Sequence, residues 1–220
     1  VLPVQYRAAW PQRDAHGDKV VPEPTTGITP SQTVGPFFAY GLTSNGKYEW
    51  NDAFTNDLVT PDASGERIRV EGRVFDGDGA PVPDAMLEIW QADAQGHFSD
   101  PQDKRARPNS SFKGFGRCGT GGDGEYAFGT IKPGAVPGPD GKPQAPHILM
   151  AIFARGMLLQ NYTRIYFEDE ASTSTDAIMA LVPADRRATL IAKRESGAGG
   201  YVYRFDIHLQ GENETVFFAV

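Results

Sequence analysis

Apolar residues in this chain come in short runs, and glycine or proline separates one run from the next. Such punctuation leaves little room for long helices and suits short strands joined by turns. The 220 residues include 25 glycines and 17 prolines, which fits an all-β fold. Over 67–76, Ile68, Val70 and Val74 alternate with Arg69, Glu71 and Arg73, the period of a half-buried strand. Asp76-Gly77-Asp78-Gly79 then supplies the left-handed conformations of a tight turn. Further strands are expected over 85–92, which carries Trp90, and over 125–131 after the turn Asp123-Gly124. Others follow at 147–154, 162–167, 202–209 and 215–220, and Cys118 lies in one more strand-like run. The 147–154 run is apolar on both faces, so it is expected to be central and covered twice. The expected architecture is a two-sheet antiparallel β-sandwich with one or two short helices.

Helical signals come late. Asp176 is placed to cap a short helix through Val182, which Pro183 ends. A second candidate covers 184–194, with Leu190 and Ile191 facing in and Arg186, Arg187, Lys193 and Arg194 facing out. Residues 1–30 carry Pro3, Pro11, Pro22, Pro24 and Pro30 and no apolar period. They read as an extended N-terminal arm, ordered only when packed on a partner. The sandwich domain is assigned to 31–220, with a core-like pattern from about Glu66.

A formal charge of −7 argues against a nucleic-acid partner, which would call for a basic face. The longest apolar run, 148–154, is too short to span a bilayer, and no charged-apolar-small pattern opens the chain. The first residue is not Met, which leaves a processed leader open; a cytoplasmic location is expected. Cys118 is the one cysteine. It cannot form a disulfide within the chain, and it reads as buried and structural.

Most chemical signatures are missing. The histidines are His16, His97, His147 and His208, and no two are spaced as His-x-His or His-x-x-x-His. One imidazole cannot hold a transition metal, which needs three or four protein ligands. No nucleophile elbow, Walker loop or dinucleotide fingerprint is present. Gly119–Gly124 reads as a turn, and Glu168-Asp169-Glu170 as a solvated loop. Arg155 is more informative, because it ends an apolar strand. A guanidinium there needs an anionic partner. That partner is either a carboxylate of the same fold or a carboxylate on a ligand, which Arg can hold in two-pronged fashion.

Several segments together resemble the intradiol ring-cleavage dioxygenases, in the protocatechuate 3,4-dioxygenase branch. They are Ser31-Gln32-Thr33-Val34-Gly35-Pro36, Gly72-Arg73-Val74-Phe75-Asp76, Leu87-Glu88-Ile89-Trp90-Gln91-Ala92-Asp93, Thr130-Ile131-Lys132-Pro133-Gly134, Arg164-Ile165-Tyr166-Phe167 and Tyr203-Arg204-Phe205-Asp206-Ile207. Their order and spacing match from about Ile28 onward. Catalytic chains of this family hold a non-haem Fe(III) through two tyrosines and two histidines. The matching positions here are Phe98, Val136, His147 and Leu149. Phe lacks the phenolic oxygen, and Val and Leu carry no donor. Tyr126 and Tyr166 lie in alternating strand patterns and read as core, not as replacements.

The resemblance therefore implies an alpha-type chain of a hetero-oligomeric enzyme, with no catalytic or metal-binding residue of its own. Fe(III) would be held by a beta-type partner chain, and a protocatechuate-like substrate would bind at a shared cleft. Gly35, Pro36 and Arg155 are the positions that would wall that cleft. The alternatives are a stand-alone iron-free β-sandwich binding module and a self-sufficient enzyme with a rearranged site.

Overall fold

The computed structural model describes residues 32–35, 38–43, 55–103, 105, 112–138, 141–197 and 199–219. The expected arm at 1–30 and Pro36 lie outside them. Residues 32–220 group as one compact unit. A short helix, α1 (Phe38–Leu42), precedes β1 (Arg67–Phe75), β2 (Met86–Trp90), β3 (Phe115–Gly119) and β4 (Glu125–Ile131). Next come the two-residue strands β5 (Val136–Pro137) and β6 (Pro143–Gln144), then β7 (His147–Phe153) and β8 (Asn161–Phe167). Helix α2 (Ala177–Leu181) is followed by β9 (Ile191–Gly197), β10 (Gly200–Arg204) and β11 (Ile207–His208).

The fold is mostly β, as expected, but its sheet is mixed. The hydrogen-bonded order is β11-β1-β10-β9-β8-β7-β2-β3, with β4 paired to β1, and β5-β6 form a separate pair. β1 runs parallel to β10 and β11, and β8 runs parallel to β9. The expectation of two antiparallel sheets is corrected on this point. The reason is β9. Ile191 and Ala192 pair with Tyr166 and Phe167, whereas Lys193 to Gly197 turn to β10. One strand thus joins two layers that remain sandwich-like. Ile68, Val70, Phe128 and Tyr203 of one layer pack against Leu87, Ile148, Met150 and Ile165 of the other. The same strand replaces the second expected helix, of which only a 3-10 turn at Arg187–Leu190 forms.

Local chemistry explains several boundaries. Asp76 Oδ1 accepts the N–H groups of Asp78 and Ala80, and Gly79 takes a φ of 78°. Asp176 caps α2 by accepting from the N–H groups of Ile178 and Met179, as its position predicts. β10 and β11 are one run interrupted at Phe205-Asp206, where Asp206 Oδ1 accepts the N–H of Arg73. The expected strand at 215–220 is reduced among the described residues to a single bridge, Phe218 to Tyr162. β7 is covered twice. Its Ile148, Met150 and Ile152 face the main core, and a second cluster of Ala145, Tyr166, Met179, Val182 and Leu190 covers the opposite side. Among the described residues, no helix is long and apolar enough to cross a membrane.

Candidate functional site

Side chains alternate along a strand, so His147 and Leu149 leave β7 on the side away from the main core. On that side the register is tight. Leu149 stands between Trp90 of β2 and Arg164 of β8, and His147 stands opposite Tyr166. Phe98 stacks on Trp90, with ring centroids 6.2 Å apart and planes within 1°. Val136 is the register partner of Gln144, and Gln144 Oε1 accepts from Arg164 Nη1 at 2.8 Å. Phe98, Val136, His147 and Leu149 are therefore linked through immediate neighbours on one face of β2, β7 and β8.

Fixed loops explain this gathering. Gln91 is buried and donates to Ile131 O at 2.9 Å while accepting from Thr130 Oγ1 at 2.8 Å. Gly134 N–H donates to Asp93 O. A Cβ on Gly96 would sit 1.9 Å from Ala135 O, so the loop carrying Phe98 and the loop carrying Val136 are pressed together. The Phe98 N–H donates to Asp103 Oδ2, and Arg105 Nη2 pairs with that same oxygen at 2.6 Å.

His147 is buried. Its Nδ1 lies 2.7 Å from Ala145 O; a carbonyl only accepts, so Nδ1 carries the proton and Nε2 the lone pair. Burial first, and the Arg164 guanidinium second, pull its pKa down to about 4. Tyr166 is fully buried, donates to Asp176 Oδ1 at 3.0 Å, and has its pKa pushed up to about 12, chiefly by burial. Tyr126 donates to Phe205 O at 2.6 Å, and burial raises its pKa well above the ordinary phenol value. Both phenols are neutral core residues, in line with the strand pattern.

These side chains do not fit a ferric ion. Fe(III) in this family calls for anionic phenolates, and the four positions offer one neutral imidazole beside a guanidinium. Among the described residues, no group of three or more His, Cys, Asp or Glu side chains could hold a metal ion.

Arg155 lies just past the far end of β7. Arg155 forms an ion pair with Asp84, and 55% of its side chain is exposed. The internal carboxylate anticipated for it therefore exists, while much of the side chain stays open to a further partner. The Gly156 N–H donates to Thr33 Oγ1 at 2.8 Å. The segment preceding Pro36 is thus fastened to the turn carrying Arg155, although the two are far apart in sequence. Gly35 is exposed, and a Cβ there would meet nothing within 4 Å. Arg164 and Gln144 were not singled out from sequence as site residues, and Asp176 was read only as a helix cap. The available signal was Arg164 on the same face as Tyr166, next to the apolar end Ile165 to Phe167 of the strand.

Comparison with known proteins fits this geometry. The family described as Dioxygenase matches residues 35–211. The alpha chain of protocatechuate 3,4-dioxygenase from Burkholderia cepacia is 48% identical over 197 residues, covering 87% of this chain and 97% of that one. The beta chain from the same organism is 35% identical over 185 residues, covering 80% of this chain and 77% of its own length. Among solved structures, the dioxygenase domain of a carbohydrate-binding fusion protein from Streptomyces sp. SirexAA-E superposes with a TM-score of 0.55 at 27% identity. It spans 83% of this chain and 99% of that domain. A fold, a set of motifs and a family match that agree over this much of the sequence lead to one assignment: the chain belongs to the intradiol ring-cleavage dioxygenases.

Proposed function

We propose that this chain is the alpha-type subunit of a hetero-oligomeric protocatechuate 3,4-dioxygenase. The complex cleaves a catechol carboxylate with O2, between the two hydroxyl-bearing carbons, to a carboxymuconate. The Fe(III) belongs to a beta-type partner chain, and this chain walls the partner's substrate cleft. The observation that carries the reading is the donor set: at the four ligand positions only His147 has a donor atom, and Phe98 and Leu149 present apolar side chains instead. Support for the wall comes from Gly156 and Thr33, whose hydrogen bond draws the Gly35 segment to the Arg155 turn. Gly35 and Pro36 would give the wall a backbone without bulk. Arg155, open on one side, would set the field around the substrate carboxylate.

The test is to produce the chain alone and together with a beta-type chain, then to measure bound iron and protocatechuate-dependent O2 uptake. The chain alone is expected to be iron-free and inactive, and the co-purified complex active. Near-stoichiometric iron and turnover in the chain alone would overturn the proposal.

A further inference from the structure

We infer that Arg164 keeps this chain free of metal by standing as a fixed cation among the ligand positions. Arg164 is the register partner of Leu149. Its Nη1 is 2.8 Å from Gln144 Oε1, and Gln144 is the register partner of Val136. The same Nη1 is 3.4 Å from the Tyr166 hydroxyl, whose ring lies 5.8 Å from that of His147. Arg164 is therefore the direct strand neighbour of Leu149 and reaches Val136 and His147 through one intervening residue each. The two groups that hold it are neutral, and among the described residues it makes no ion pair with a carboxylate. Asp176 is one step further away, behind Tyr166.

This goes beyond the loss of donors. If missing donors were the whole reason, a donor restored beside His147 would raise metal affinity to the same extent whatever stands at Arg164. With Arg164 in place, the incoming cation meets a like charge in a half-buried setting, where repulsion is weakly screened. The inference rests on reading Phe98, Val136, His147 and Leu149 as the family's ligand positions, and it does not depend on assembly with a partner.

The test uses the full chain carrying Leu149→His, which puts two imidazoles on one face of β7. This variant is compared with Leu149→His/Arg164→Gln and Leu149→His/Arg164→Lys. Glutamine keeps an amide donor for Gln144 and removes the charge; lysine keeps the charge. Zn(II) affinity is read by calorimetry, with thermal melting of each variant as the check on folding. Arg164→Gln is expected to tighten Zn(II) binding by about tenfold or more, and Arg164→Lys to leave it weak. Equal affinity in all three, or equal tightening by Gln and Lys, would overturn the inference. Should Leu149→His unfold the chain, Phe98→Tyr alone, with Arg164→Gln and with Arg164→Lys restores a phenol at the ligand position stacked on Trp90. Ferric uptake and phenolate-to-iron absorption are then read, with the same two outcomes deciding. Iron in the unaltered chain would instead contradict the subunit assignment, so the two readings fail separately.

Discussion

Asp176 shows how one side chain can organise several elements. Its carboxylate accepts the N–H groups of Ile178 and Met179 in α2, of Ala145 ahead of β7, and the hydroxyl of Tyr166 on β8. Burial alone would raise its pKa. The N–H groups of Met179 and Ala145, with the Tyr166 hydroxyl, outweigh burial and hold it below its ordinary value. Asp176→Ala leaves these buried donors without their acceptor, and a loss of about 2–4 kcal/mol is expected in urea denaturation. Asp176→Asn keeps an acceptor and should recover part of it. His147 adds a pH dependence. Its pKa falls from an ordinary 6.5 to about 4 through burial and the Arg164 charge. The folded chain favours the neutral ring, so this stabilisation is complete above pH 6.5 and is lost as pH falls toward 4. The expected loss across that window is about 3 kcal/mol. His147→Gln should flatten the stability profile between those values; an unchanged slope would place the responsible proton elsewhere. The capping role of Asp176 was legible before the structure, because an Asp ahead of an apolar run ended by proline has a local meaning. Its bonds to Ala145 and Tyr166 were not, since they depend on where distant strands lie.

At the scale of elements, the strands with clean alternation were readable, and β4 falls on the span its pattern marks out. Two segments show what alternation leaves undecided. Ile191–Gly197 places Lys, Arg and Glu in a row, a composition that suits an exposed helix as well as an edge strand. Pairing with β8 and β10 decides for the strand. The run from 202 to 209 reads as one strand, yet it breaks at Phe205-Asp206 because the Asp206 side chain takes the Arg73 N–H. Gly72 makes that break possible. A Cβ there would lie 2.0 Å from Phe205 O, a clash with backbone that no rotamer relieves. Gly72→Ala should therefore cost about 3 kcal/mol or more in denaturant unfolding. Gly35→Ala, with open space around it, is expected to shift the stability of the chain by less than about 0.5 kcal/mol. Any loss of activity it causes in the complex would then come from the cleft and not from the fold.

For the whole molecule, the family was legible because its motifs are also the joints of the fold. Gln91 ties the Trp90 strand to Thr130-Ile131, and Tyr126 closes on Phe205, so these residues hold the fold together whether or not a metal is bound. Arg155 is a different case. Among the described residues it has one ionic partner, Asp84, and its side chain remains 55% exposed. An exposed pair of this kind contributes about 1 kcal/mol or less to stability, so the isolated chain should tolerate Arg155→Ala. If the residue borders the partner's substrate, the consequence belongs to the assembled enzyme. Arg155→Ala should raise the KM for protocatechuate by about tenfold through loss of attraction for the ring carboxylate. It should change kcat less, and it should leave a catechol without a carboxylate nearly unaffected. Steady-state kinetics on both substrates, with the melting temperature of the complex as control, separates the cases. A uniform fall in kcat for the two substrates would mean that Arg155 supports the interface instead of reading the carboxylate. An unchanged KM with full activity would leave Asp84 as its only purpose.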